Sequence, residues 1–96
     1  MSTTTNDPVV ANFRDEITTL DRQLVALVNK RLTVVARLRR YKEANGLPFL
    51  DPAREEWMLR YLSRANTGPL TDSGLEELYT FVLDLTKREL PDASDA

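Results

Sequence analysis

An all-helical chain of three helices, one of them very long, is what this sequence predicts, on three observations. Apolar residues recur at steps of three and four, the period of one helix face. Breakers are scarce, with three Gly and five Pro in 96 residues, and they fall in a few clusters. No stretch alternates apolar and polar with the period of two that a strand needs.

The first helix is predicted to start at Pro8, because Asn6-Asp7-Pro8 supplies a capping side chain followed by proline at the first helical position. No breaker follows until Asn45-Gly46-Leu47-Pro48. Between them Val10, Phe13, Ile17, Leu20, Leu24, Leu27, Arg31, Val34, Leu38 and Tyr41 form an unbroken near-heptad stripe. Asp51-Pro52 repeats the start signal for a second helix, whose apolar face is read as Trp57, Met58, Tyr61, Leu62 and Ala65, and Gly68-Pro69 closes it. Thr71 or Asp72 caps a third, with Leu75, Leu78, Tyr79, Val82, Leu85 and Thr86 on its face before Pro91. The domain reading is therefore a flexible N-terminus over 1–7, one helical domain over 8–90, and a flexible tail over 91–96.

Roughly 35 helical residues at about 1.5 Å each make a rod of about 50 Å, against a radius of gyration of about 13 Å for a compact chain of this size. Two shorter helices cannot cover such a rod, and its bare stripe is a large apolar patch. A second copy of the chain is the economical cover, so a homodimer with its long helices packed together is expected. The alternative is a helical hairpin that binds a different partner.

Composition narrows the chemistry. The chain has no His and no Cys, which removes the usual zinc sites, Ser-His-Asp triads, thiol nucleophiles and disulfides, and no metal is expected. Thirteen Lys and Arg against 15 Asp and Glu give a net charge of −2, and a net basic chain with exposed aromatics, as nucleic-acid binding wants, is not found. No apolar run approaches a membrane span, and Met1 to Asp7 carries neither the basic nor the apolar part of a signal peptide. A cytoplasmic protein with no nucleic-acid or membrane partner is the expectation.

Arg31 sits in the stripe where an apolar residue belongs, and a buried charge must be compensated. Either an acidic side chain of a neighbouring helix pairs with it, or an anionic ligand does. Lys42, eleven residues on, lies about 20° away on the same face. Arg54 and Glu55 occupy the first turn of the second helix, where free backbone N–H groups add a positive field. Arg14 is about 100° round the long helix and roughly 25 Å along it from Arg31, so only an antiparallel partner's copy reaches the same place. Arg, Lys and a helix start around one carboxylate suit a small dicarboxylate, since Arg grips carboxylates with two parallel hydrogen bonds. Arg37, Arg39 and Arg40 are read as a solvated helix surface.

In this order, Phe13-Arg14-Asp15-Glu16-Ile17, Leu20-Asp21, Leu24, Lys30-Arg31, Lys42 and Leu50-Asp51-Pro52-Ala53-Arg54-Glu55 resemble the all-helical class of chorismate mutase, over about Phe13 to Leu90. The resemblance implies an intertwined dimer of three-helix chains and a cofactor-free isomerase that rearranges chorismate to prephenate. It also implies roles. Arg14 of the partner and Arg31 hold the two substrate carboxylates, and Lys42 donates to the ether oxygen. Arg54 orders the pocket electrostatically, Glu55 with the Asp51 backbone holds the substituent at ring carbon C4, and Thr86 lines the pocket where the family commonly has Ser. One position departs: Leu90 stands where the family usually has Gln or Glu as a second donor to the ether oxygen. Three other readings stay open: a mutase acting on 4-amino-4-deoxychorismate, an isochorismate pyruvate lyase, and a non-catalytic dimerisation module. An activating partner enzyme and the pathway, primary Tyr/Phe synthesis or a dedicated route, are open as well.

Overall fold

The computed structural model describes residues 7–90, so the expectations for 1–6 and 91–96 lie outside the described residues. Three helices follow one another: α1 (Pro8–Ala44), α2 (Pro52–Ala65) and α3 (Asp72–Glu89). The three-helix, strandless class expected from the sequence is what the described residues form.

The starts and stops follow from local chemistry. Asp7 caps α1, its Oδ1 accepting from the Val9 N–H at 2.8 Å and its carbonyl from Ala11 at 3.0 Å. At the far end Gly46 adopts φ +67°, the left-handed conformation glycine takes without strain. The Leu47 N–H then folds back onto the Lys42 carbonyl at 2.8 Å and the Gly46 N–H onto Glu43 at 3.4 Å, the paired bonds that satisfy orphan carbonyls at a helix C-terminus. Asp51 caps α2 by accepting from the Arg54 N–H at 3.1 Å. Of the two candidates for α3, Thr71 is the cap, its hydroxyl accepting from Gly74 at 3.0 Å.

The described chain divides into two units, one ending at Val34 and one beginning at Val35. The first consists of the long N-terminal part of α1. Its stripe is bare within one chain: Phe13 is 59% exposed, Leu20 61%, Leu24 57% and Leu27 63%. No residue of α1 is buried.

In the second unit α2 packs against α3, and the buried residues there are Leu75 and Thr86. The inward face of α2 is Glu55, Met58, Leu59, Leu62 and Ser63. Trp57 and Tyr61 stand outside it, contrary to the apolar face read from the sequence. Their rings stack on each other with centroids 5.3 Å apart, a contact between residues four apart on an exposed side. On α3, Leu78 is likewise exposed while Leu83 turns partly inward. Among the described residues no helix is long and apolar enough to cross a membrane.

Candidate active site

Asp51, Arg54 and Glu55 are positioned together by the start of α2. The Asp51 carboxylate holds the Arg54 N–H, and its carbonyl accepts from the Glu55 N–H at 3.1 Å. The Glu55 side chain turns toward α3, where its Oε2 lies 3.9 Å from the Lys87 ammonium. The Arg54 guanidinium lies over the Trp57 ring, 5.0 Å from its centroid, a cation–π contact that leaves its N–H edge for other partners.

Lys42 occupies the last turn of α1. Its ammonium donates to the Phe49 carbonyl at 3.4 Å and stands 6.0 Å from the Phe49 ring centroid. The half-buried lysine is thus tethered to the loop between α1 and α2 by one long hydrogen bond, and two donors stay for another acceptor.

Thr86 is buried, and its hydroxyl donates to the Val82 carbonyl one turn back at 2.8 Å. Leu90 ends α3, its N–H bonded to the Thr86 carbonyl at 2.9 Å. Arg14 is exposed and Arg31 half-buried, both in the unit ending at Val34.

Two side chains here were not singled out from the sequence. Arg39, read as solvated surface, is half-buried. It donates from Nη1 to the Leu90 carbonyl and lies over Phe49, 4.6 Å from the ring centroid. A second stripe on α1 carried the signal: Val28, Leu32, Val35, Arg39 and Lys42 keep the steps of three and four and are all half-buried. Lys87 has no such signal, because its partner is 32 positions away in sequence and on another helix. Arg39, Glu43, Phe49, Leu50, Lys87 and Leu90 line a cavity of about 460 Å³. Of the residues singled out from the sequence, Leu90 is at its wall.

In this unit Arg39 and Lys42 come from α1 and Lys87 from α3, while Asp51, Arg54 and Glu55 stand together at the start of α2. Among the described residues no acidic cluster could hold a metal ion. The chain belongs to the chorismate mutase type II family, whose model matches residues 13–89. Among solved structures it is similar to one form of the chorismate mutase from Thermus thermophilus, with 30% identity, a TM-score of 0.78, and coverage of 82% of this chain and 90% of that one. The chorismate mutase of Helicobacter pylori in complex with prephenate is also similar, at 30% identity and a TM-score of 0.76, covering 85% and 89% of the two chains. A segment of 49 residues is 43% identical to the T-protein of Haemophilus influenzae, which is 51% of this chain and 13% of that protein. The family is one of isomerases that convert chorismate to prephenate.

Proposed function

We propose that this chain rearranges chorismate to prephenate as a homodimer in the cytoplasm. The observation that carries the reading is the family match over residues 13–89. That span encloses Arg14, Arg31, Lys42, Asp51, Arg54, Glu55 and Thr86 and stops one residue short of Leu90. In support of the substrate, the similar Helicobacter pylori enzyme binds prephenate, a dicarboxylate. In support of the dimer, the exposed Phe13 to Leu27 stripe is unfinished in one chain.

The reaction is intramolecular. The bond between the ether oxygen and the ring breaks while a carbon–carbon bond forms between the enolpyruvyl methylene and the ring. No proton has to move in that step, so a site without His or Cys is adequate. Arg31 and the partner's Arg14 take the two carboxylates and hold the compact conformer in which the reacting carbons meet. Lys42 donates to the ether oxygen, where negative charge grows as its bond to the ring lengthens. Arg54 supplies positive field, Thr86 shapes the wall, and Glu55 accepts from the C4 hydroxyl beside the Asp51 backbone. Leu90 adds no donor at the ether oxygen, so Lys42 carries that duty alone.

Purified protein mixed with chorismate, with the product identified by chromatography, tests this. Prephenate is the expected product. Arg31→Ala and Lys42→Ala are each expected to lower the rate by about 10²–10³, the cost of one such donor, with helix content by circular dichroism unchanged. A wild type that forms no prephenate, or a Lys42→Ala variant at full rate, refutes the proposal.

A further inference from the structure

We infer that Lys87 is a specificity-determining residue that acts through Glu55 and selects a neutral hydroxyl over an ammonium at C4 of the ring. The inference rests on the reading of Glu55 as the C4 contact.

The geometry is a charge pair across two helices. Lys87 lies in the last turn of α3, Glu55 in the first turn of α2, and Nζ and Oε2 are 3.9 Å apart. That separation exceeds hydrogen-bond length, so the ammonium compensates the carboxylate's charge without filling its acceptor positions. Lys87 is the cation that α3 brings to Glu55. The Glu55 side chain is about one third exposed and Lys87 one half, so the pair contributes little to stability. Its consequence is for what binds.

A C4 hydroxyl donates one hydrogen bond to Glu55 and brings no charge. A C4 ammonium brings a second positive charge to a carboxylate that already has one beside it. It must sit within a few ångströms of Nζ or displace the lysine from its partner. Like charges at that separation disfavour each other, by on the order of tenfold in affinity at a partly exposed site. A bare glutamate has the opposite bias and favours the ammonium. Lys87 thereby turns a general acceptor into a hydroxyl-selective one.

The test is kcat/KM for chorismate and for 4-amino-4-deoxychorismate, measured on the wild type, Lys87→Met, Lys87→Arg and Glu55→Gln. The wild type is expected to prefer chorismate. Lys87→Met should move the ratio about tenfold toward the amino compound, and Lys87→Arg should restore the wild-type ratio. A structural loss lowers both substrates alike and leaves the ratio where it was. An unchanged ratio in Lys87→Met, with Glu55→Gln still shifting it, overturns the role of Lys87 and keeps that of Glu55. A ratio unmoved by either variant overturns the Glu55 contact and this inference with it. A wild type that turns over chorismate poorly and the amino compound well also refutes it.

Discussion

The part of α1 that ends at Val34 and the segment from Val35 to Leu90 use the same helical periodicity with opposite results. In the first, the stripe from Phe13 to Leu27 stays more than half exposed. In the second, α2 and α3 bury Leu75 and Thr86 against their neighbours, and hydrogen bonds reach across long sequence distances, as from Arg39 to Leu90. Periodicity therefore writes a helix in both regions, but only the second finds tertiary partners within its own unit. The first has local order and an unfinished face. Most helical stability in proteins comes from packing such a face, so the first region depends on something beyond itself, and a second chain is what we propose.

The most disruptive way to break this contrast is a charge in the bare stripe. Leu24→Lys should abolish the dimer in light scattering and lower mutase activity by at least about 100-fold, because a desolvated lysine in an apolar seam costs several kcal/mol. In one chain position 24 is 57% exposed, so the substitution spares the monomer. A dimer that survives it would mean that the stripe is not the interface. The second unit is probed by Leu90→Gln, which puts a donor at the end of α3 and should raise turnover, by up to about 100-fold if the amide reaches the ether oxygen. An unchanged rate would remove this end of the helix from the site. The smallest effect is expected from Asp51→Ala. Losing the cap of α2 should cost about 1 kcal/mol in a denaturant titration, and the loosened first turn should raise KM through Glu55.

Helix limits were legible in the sequence because each is set by two or three adjacent residues. Asp7-Pro8, Asn45-Gly46 and Asp51-Pro52 each do locally what they predict. Facing was less legible. Trp57 and Tyr61 match a helical stripe with Met58 and Leu62, yet each lies about 100° round the helix from the residue that follows it, and the two stack outside the packed face. A broad apolar arc does not by itself say which edge turns inward. Pairings were the least legible. The Arg39 contact to Leu90 spans 51 positions, and Glu55 meets Lys87 across the packing of α2 on α3. No local rule links such positions. Family resemblance implied the substrate-facing roles proposed for Lys42, Arg54 and Glu55, but it drew no attention to Lys87 or Arg39.

The turn at the end of α1 separates two duties of one residue. The carbonyl of Lys42 receives the Leu47 N–H that closes the turn, while its ammonium donates to the Phe49 carbonyl. Any L-residue supplies the carbonyl, whereas only the side chain supplies the charge. Lys42→Ala therefore deletes the charge and its tether to the Phe49 carbonyl while the bond that closes the turn stays available. The left-handed position at Gly46 has the converse character, since a side chain there strains the turn and leaves every ionisable group in place. A change at Gly46 thus acts on position with the charge retained, and a change at Lys42 acts on the charge with the closing bond retained, so the two weigh different contributions to one rate.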